Sequence, residues 1–299
     1  MTRAATDSGV DQKDAWLGAT MVTPTLVLMV ALVFAPVLLT LWDSLHRVNP
    51  MQAGTPFIGL ANYLRSFQER NVLQSWQNTI AYVALAVILE TVGGVLIALL
   101  LHRLRWGRRW LLAIVVLPWA LPPVVNAILW AWIYNPSAGV LTQIAHGLGL
   151  VADHHVWLND RAGSLLLVAI VHVWRVLPLT AVIVLAALQS IPTELYEAAR
   201  IDGTSSWRIF RSVTLPLISG SLAIALTQST VTAFNLFDEA WVLNGSSLDT
   251  RSVLIQVYLS AFQDLKFSYG MAISVLVMIV SLVASGLYAA RVYSETRYE

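Results

Sequence analysis

Residues 197–216 read Glu-Ala-Ala-Arg-Ile-Asp-Gly-Thr-Ser-Ser-Trp-Arg-Ile-Phe-Arg-Ser-Val-Thr-Leu-Pro. This charged stretch lies between two long apolar runs, at about 163–188 and 217–241. Its charges and its central glycine predict two short helices joined by a turn, rather than a continuation of either run. We interpret it as an insert outside the membrane, through which a membrane domain is moved from the cytoplasmic side.

The composition places the rest of the chain in a membrane. It is 57% hydrophobic and only 12% charged, with a mean hydropathy of +0.68, which is too apolar for a soluble domain. The continuity of its apolar runs excludes a β-barrel. We predict an all-α polytopic protein with one permease domain at 18–290, an N-terminal segment at 1–17 and a tail at 291–299. Six runs are long enough to cross about 30 Å of hydrocarbon: 18–42, 78–101, 110–134, 163–188, 217–241 and 267–290.

Prolines interrupt two of these runs. Pro118, Pro122 and Pro123 lie in the third run, and Pro178 lies in the fourth. Proline removes a backbone donor and clashes with the preceding turn. A membrane helix tolerates it where its neighbours satisfy the freed carbonyls, so we expect both helices to be kinked and to line a path.

The distribution of Lys and Arg predicts the orientation, because cytoplasmic connections carry an excess of these residues. One alternate set of connections holds eleven: Arg3, Lys13, Arg103, Arg105, Arg108, Arg109, Arg200, Arg208, Arg211, Arg291 and Arg297. The other set holds six: Arg47, Arg65, Arg70, Arg161, Arg251 and Lys266. We therefore predict that both termini and the insert are cytoplasmic. The first run is expected to remain as a span, because no small-residue cleavage site follows it.

The chain lacks the residues of common catalytic and nucleotide-binding sites. It contains no cysteine, which excludes disulfides and thiolate sites. Neither Lys13 nor Lys266 follows a glycine-rich phosphate-binding frame, and the His-Glu-x-x-His and Gly-x-Ser-x-Gly patterns are absent. His154 and His155 are adjacent and would diverge on a helix, so we predict no metal site. The cations are dispersed, and we predict no nucleic-acid binding.

Within the insert, the expected helices cover 194–213. Thr193 can cap the first helix, which is predicted to start near Glu194. Gly203 supplies the residue that can adopt a positive φ where this helix stops. Spacing alone allows either a partner-docking surface or an amphipathic connector at the membrane surface.

The second helix of the insert can be capped by Thr204 or Ser205. Trp207 and Phe210 are three residues apart and hence share one face of it. The small alanines of the first helix would allow a partner to approach closely.

The insert resembles the cytoplasmic EAA loop of bacterial ABC importer permeases. The pattern of that family is Glu-Ala-Ala, three residues, Gly, nine residues, Ile, any residue, and Leu-Pro. Here Glu197-Ala198-Ala199, Gly203, Val213 and Leu215-Pro216 occupy these positions, with Val213 in place of Ile.

Further segments carry the same resemblance. Residues 57–63 look like an outer-loop motif of sugar-type permeases, and residues 118–124 with 132–136 look like their third-span signature. Residues 234–243 are similar to the end of the fifth span in subunits that resemble the first permease of the maltose system. That family usually continues with Thr-Gly-Gly-Gly-Pro, whereas residues 244–248 read Asn-Gly-Ser-Ser-Leu.

The resemblance implies a type I ABC importer permease fold in a bacterial plasma membrane. In that family two permeases pair, two ATPase subunits that use ATP and Mg²⁺ lie beneath them, and an extracytoplasmic binding protein delivers the solute. This chain is then expected to bind no cofactor itself, and to contact those subunits and membrane lipid. The coupling residues expected from the loop are Glu197, Ala198, Ala199, Asp202, Gly203, Trp207 and Phe210.

Two ionisable residues lie near the middle of spans, where they are costly and usually face the protein interior. Glu90 is in the second run and Arg175 in the fourth. We predict that they pair or face one polar cavity. An ion pair that fixes helix register and a role in the solute path both fit this placement.

The outer end of the fifth run combines polar and aromatic residues. Asn235, Asp238 and Glu239 lie there beside Phe237 and Trp241. Aromatic faces with amide and carboxylate groups suit sugars, and an interfacial aromatic belt is the alternative. The predicted solute path consists of Asn235, Phe237, Asp238, Arg175 and Glu90.

The sequence therefore predicts the transmembrane subunit of an ATP-driven importer for a sugar, oligosaccharide or related polyol. A glycerol-phosphate or phosphodiester permease of the same family is the nearest alternative. A proton-coupled secondary transporter using Glu90 or Asp238 is a different class, but it would give the insert no purpose and no inverted repeat is evident. An intramembrane enzyme would need a catalytic pair that the sequence lacks.

Overall fold

A computed structural model of the chain describes residues 12–51, 53–104 and 106–295. Over these ranges the chain is helical and contains no strand, apart from one antiparallel bridge between His46 and Phe57. Three of the cations behind the predicted orientation, Arg3, Arg105 and Arg297, lie outside the described residues. So do residues 1–11 of the predicted N-terminal segment and 296–299 of the predicted tail.

The α-helices of the described residues are numbered here in chain order. They are α1 (Gln12–Met29), α2 (Ala35–Ser44), α3 (Ala61–Ser66), α4 (Arg70–Arg103), α5 (Arg108–Val116), α6 (Pro123–Ile133), α7 (Val140–Gly147), α8 (Arg161–Ser190), α9 (Thr193–Ile201), α10 (Ser206–Ile209), α11 (Leu215–Leu217), α12 (Ser219–Phe234), α13 (Asp238–Asn244), α14 (Val253–Tyr258) and α15 (Phe267–Glu295). Short π-helical turns at Val30–Phe34, Phe210–Thr214 and Leu259–Gln263 and a 3₁₀ turn at Leu117–Ala120 join consecutive helices.

The helices account for the six predicted spans in two ways. Four stretches are long and apolar enough to cross a membrane unbroken: Trp16–Ser44, Arg70–Arg103, Arg161–Ser190 and Phe267–Tyr288. Two more do so only as bent pairs: Arg108–Ala120 with Pro123–Ile133, and Ser206–Leu217 with Ser219–Asn244. Within the described residues the structure thus has four such helices, or up to six spans if each bent pair is counted as one.

The prolines act differently in the two spans that contain them. In the third span the axis turns by 99° between Ala120 and Pro123. Consecutive prolines cause this break, because each one drives the residue before it into the extended region, and Leu121 and Pro122 have ψ values of 137° and 139°. In contrast, α8 continues through Pro178, so the predicted kink there does not break the helix.

The second span begins at Arg70, eight residues before the predicted position. Polar side chains in this first part of α4 hold the connection between α13 and α14. Asn78 Nδ2 donates to the carbonyl oxygens of Leu248 (2.9 Å) and Arg251 (3.0 Å), while its Oδ1 accepts from Arg161 Nη2 (2.9 Å). These polar side chains form hydrogen bonds within the protein and do not face lipid. The apolar run, which starts only at residue 78, therefore predicted the start of the helix too late.

Residues 57–63 fold back onto the end of the first span. Asn62 Nδ2 donates to the carbonyl oxygen of Ser44 (2.9 Å), and the hydroxyls of Tyr63 and Ser44 are 2.6 Å apart. Gly59 lies in the left-handed region with φ of 57°, which turns the chain before α3. The motif at 57–63 therefore has a structural role, which is to hold the chain after the first span against the end of that span.

Helices α4 and α8 form the most extensive helix pair of the fold, and α12 packs against both. Gly94 allows the close approach, since a Cβ atom there would be 2.5 Å from Thr180 Cγ2 of α8. Apolar clusters lie toward both ends of the pair. One includes Tyr82 and Val168, and the other, at the end that faces the insert, includes Leu188 and Ile218. Between these clusters lies a polar region.

Candidate functional site

The insert forms two short helices, α9 and α10, joined by a turn at Gly203. Gly203 has φ of 69°, as expected for the residue that ends α9. The predicted cap by Thr193 is wrong, because α9 starts at Thr193 itself, directly after Pro192. Ser205 occupies the N-cap position of α10, but its side chain makes no capping hydrogen bond.

One side chain anchors α9 to the membrane domain. Tyr196 packs against the apolar cluster that contains Leu188 and Ile218. Its hydroxyl lies 3.3 Å from Thr214 Oγ1, on the turn that leads into the fifth span. The insert is therefore tied to the fourth and fifth spans on its inner side.

The remaining side chains of the insert leave an apolar surface open. Leu195, Ile201 and Trp207 are 44%, 86% and 69% exposed. The rings of Trp207 and Phe210 stack with centroids 5.7 Å apart, so the two share a face as predicted. The predicted coupling residues Glu197, Ala198, Asp202 and Gly203 are exposed, whereas Ala199 and Phe210 are half-buried. The insert thus exposes large apolar groups, and exposed apolar patches of this kind are typical of a contact with a protein or a membrane.

A cluster of charged side chains lies inside the helix bundle. Glu239 Oε1 accepts hydrogen bonds from Arg175 Nε (3.2 Å) and Arg175 Nη2 (3.1 Å). The same oxygen lies 3.2 Å from His172 Nδ1. His172 and Glu239 are buried, and the Arg175 side chain is 17% exposed.

The predicted ion pair between Glu90 and Arg175 is wrong, because Glu239 is the carboxylate that binds Arg175. Glu90 Oε1 instead lies 3.7 Å from His172 Nε2, on the opposite edge of the imidazole ring. The His172 ring therefore separates two buried carboxylates. Glu90 and Arg175 belong to one polar cluster because the His172 ring lies between Glu90 and Glu239, the partner of Arg175.

The parts that His172 and Glu239 play in this cluster were not predicted. One signal was available for His172: it lies three residues before Arg175 and hence on the same face of α8. Glu239 lies in the first turn of α13, which packs against α6 and α8. The partial positive charge of a helix N-terminus favours a carboxylate in that turn. The break that starts α13, at 235–237, had no clear sequence signal.

Several polar atoms of the cluster are buried without a hydrogen-bond partner among the described residues. They are both carboxylate oxygens of Glu90 and His172 Nε2. Each such group costs about 1–3 kcal/mol, and a charged group costs more. Ionisable groups kept in a membrane domain at this cost are candidates for a functional role. No three His, Asp or Glu side chains in the described ranges are arranged to hold a metal ion.

The other predicted solute-path residues lie in the turn that precedes α13 and at the first residue of that helix. Asn235 is exposed, and its Nδ2 donates to the Val231 carbonyl oxygen (2.9 Å). The Phe237 ring stacks on Trp241 with centroids 5.8 Å apart, while Asp238 is half-buried. The structure therefore groups Asn235, Phe237 and Asp238, and Arg175 reaches the same turn through Glu239. Glu90 lies beyond His172, away from this turn.

Comparison with known proteins gives consistent matches over most of the chain. The family model described as binding-protein-dependent transport system inner membrane component matches residues 90–292, more than half of the sequence. The trehalose/maltose transport system permease protein MalF of Thermococcus litoralis is 35% identical over 94% of this chain and 95% of its own length. The trehalose transport system permease protein SugA of Mycobacterium tuberculosis is 34% identical over 86% of this chain and 82% of its own length.

The fold is also found in solved structures. One is a bacterial alginate ABC transporter in complex with an alginate pentasaccharide-bound periplasmic protein. A chain of it aligns with a TM-score of 0.80 and 22% identity, covering 93% of this chain and 94% of that chain. At this identity the likeness establishes the fold alone, and it confirms the predicted all-helical permease architecture.

Proposed function

Because the chain belongs to the family of binding-protein-dependent transport system inner membrane components, we propose that it forms half of the path of an ATP-driven importer for a sugar, oligosaccharide or related polyol. The observation that carries the proposal is the family match over residues 90–292, which contains both the insert and the polar cluster. The names of the trehalose and maltose permease relatives support the solute class.

In this function, α9 and α10 dock onto an ATPase subunit. The exposed apolar surface around Leu195, Ile201 and Trp207 supports this role, since such a surface is costly in water and suits a protein partner. Glu197 and Gly203 occupy the docking positions of the EAA loop. Two ATPase subunits would supply ATP and Mg²⁺ chemistry, and a second permease and an extracytoplasmic binding protein would complete the assembly.

The solute path in this proposal runs along the turn before α13. Asn235 and Asp238 would hydrogen-bond hydroxyl groups, and the Phe237 ring would stack on the C–H face of a sugar. The Arg175 side chain retains partial exposure and would border the path. Glu90, which is fully buried, would act indirectly by fixing the position of His172.

A phosphate-ester solute is not favoured. Such a solute needs a cationic group on the path, and Arg175 is the cation that the sequence provides within a span. Both Arg175 Nε and Nη2 already donate to Glu239. The charge that a phosphate would require is therefore neutralised within the protein.

ATP-driven uptake tests the proposal in proteoliposomes that contain the complete complex, ATP inside and a maltose- or trehalose-loaded binding protein outside. Glu197→Ala is expected to abolish most of the uptake and to weaken retention of the ATPase subunit. Glu194→Ala is the matched control, because it removes one exposed carboxylate from the same helix. Uptake that persists without ATP while an ion gradient is held would instead identify a proton-coupled transporter.

A further inference from the structure

The turn between α4 and α5 carries an open cleft that is formed by neither the insert nor the polar cluster. The cleft has a volume of about 550 Å³ and is lined by Trp106, Gly107, Arg108, Arg109 and Leu112. Trp106 is 92% exposed. Trp110, which follows the cleft in the chain, is 72% exposed.

The cleft is cationic, and among the described residues no carboxylate pairs with its arginines. Arg109 is exposed and Arg108 is half-buried, and Arg103 at the end of α4 is also exposed. Among the described residues, none of these three guanidinium groups forms a salt bridge. Their charge is thus available to an anion.

An apolar strip leads away from the cleft along the third span. Trp110, Ile114 and Leu117 are separated by four and three residues, which places them on one face of the helix. All three are exposed. Exposed tryptophan beside arginine at the start of a span is typical of the level of the lipid headgroups.

We propose that this cleft binds the headgroup of an anionic phospholipid, with an acyl chain along Trp110, Ile114 and Leu117. The charge of the cleft is complementary to a phosphodiester, and arginine binds phosphate oxygens in a planar, bidentate way. The strip continuous with the cleft supplies an apolar surface that a soluble anion would not use. This occupant is independent of the transported solute.

The bound lipid would contact the apolar packing beneath the insert. Leu112 lines the cleft and also packs against the cluster that contains Leu188 and Ile218. Tyr196 of α9 packs against the same cluster. Lipid binding would therefore stabilise the layer on which the insert rests.

Native mass spectrometry of the full-length chain, purified with the subunits that accompany it, tests this site. The sample is titrated with phosphatidylglycerol and, separately, with phosphatidylcholine. Arg108→Gln/Arg109→Gln is expected to weaken phosphatidylglycerol binding roughly 30-fold, because each arginine near an anionic surface contributes about fivefold. Phosphatidylcholine binding should remain unchanged.

Two further variants decide the interpretation. Arg47→Gln/Arg70→Gln removes two exposed cations from the opposite side of the membrane domain and should leave phosphatidylglycerol binding intact. Arg108→Lys/Arg109→Lys keeps the charge but not the planar bidentate geometry, so its affinity should lie between those of the natural chain and the glutamine variant. Equal loss in the Arg47→Gln/Arg70→Gln variant, or unchanged affinity in the Arg108→Gln/Arg109→Gln variant, would overturn the proposal. Release of a companion subunit with lipid affinity intact would identify the cleft as a protein-docking site instead.

Discussion

Arg175 holds a charge inside the helix bundle because Glu239 supplies the acceptor for two of its N–H groups. Removing both charges from water is expensive, so such a pair adds little net stability, but loss of one partner leaves an uncompensated charge. His172 Nδ1 lies 3.2 Å from the same carboxylate oxygen, which can only accept, so the tautomer with a proton on Nδ1 donates to it. Glu239 thus joins the start of α13 to α8 through charged hydrogen bonds.

Replacing Glu239 alone is therefore expected to destabilise the protein. Glu239→Leu should lower the free energy of unfolding by about 3 kcal/mol, the lower end for a broken buried pair, since Arg175 keeps 17% exposure. Arg175→Leu/Glu239→Leu should recover part of this loss because both charges are gone. The measurement is the thermal unfolding midpoint of the detergent-purified chain.

The control for this experiment is Asp264→Asn. It removes the carboxylate of an exposed pair, with Asp264 Oδ2 3.6 Å from Lys266 Nζ, which should cost less than about 1 kcal/mol. Equal effects of Glu239→Leu and Asp264→Asn would show that the buried pair is not special. A double variant less stable than Glu239→Leu would contradict the role given to charge.

At this scale the sequence identified the unusual residues but not their partners. Glu90 and Arg175 were predictable because ionisable residues are rare in apolar runs. The prediction that they form an ion pair was wrong because it compared depths along straight spans. The chain break before α13 instead brings Glu239 to Arg175. That break turns Glu239 toward α8, and no local pattern around 235–237 predicts the direction of the turn.

Among the elements, the contact between α4 and α8 depends on the absence of a side chain. At Gly94, an added Cβ would be 2.5 Å from Thr180 Cγ2 and 3.2 Å from the backbone nitrogen of Ala181. The backbone atom cannot move without shifting α8 itself. Small residues at such contacts let membrane helices pack by van der Waals interactions.

Gly94→Ala is therefore expected to lower the free energy of unfolding by about 1–3 kcal/mol, as in other overpacked cores. The measurement is a lower thermal unfolding midpoint in detergent. Gly286→Ala is the matched control. Gly286 lies in α15, where an added Cβ would meet no atom within 4 Å. Because alanine has a higher helix propensity than glycine, this change should leave the free energy of unfolding unchanged or raise it by up to about 1 kcal/mol. An equal change of the unfolding midpoint in Gly94→Ala and Gly286→Ala would contradict close packing at Gly94.

The sequence predicted where most of the membrane-spanning helices lie, but not how sharply they bend. The Pro122–Pro123 pair predicted a disturbance in the third span, because two successive residues are forced out of the helical region. The 99° turn follows from packing against the other helices. Pro178 was expected to act in the same way, but a single proline inside a helix packed along α4 leaves α8 unbroken.

For the whole molecule, α8 provides a mechanical link between the insert and the polar cluster. Its middle carries His172 and Arg175, and its last residue, Ser190, is followed after two residues by α9. At about 1.5 Å per residue, Arg175 and Ser190 are separated by roughly 22 Å along the helix. A displacement of α9 would thus be carried by one unbroken element to the turn before α13.

The six apolar runs and the motif at 197–216 sufficed to predict this architecture and its family, both of which the comparisons confirm. Apolar length predicts the spans because it reflects the thickness of the bilayer. The surfaces left open on the single chain were harder to predict, since the sequence does not distinguish contact with lipid from contact with a partner. The orientation in the membrane remains a prediction from the distribution of cations.

Single cysteines test that orientation directly, because the natural chain has none and gives no background. Ser205 lies in the insert, and Asp153 lies in the connection between the third and fourth spans. Both residues are exposed, so a thiol at either position can react. A membrane-impermeant maleimide should label Asp153→Cys in intact cells with an accessible outer face of the plasma membrane. It should label Ser205→Cys only after the membrane is opened, because the excess of arginine retains that side in the cytoplasm. Transport-competent variants with the reverse labelling pattern would place the insert outside, where no ATPase could reach it.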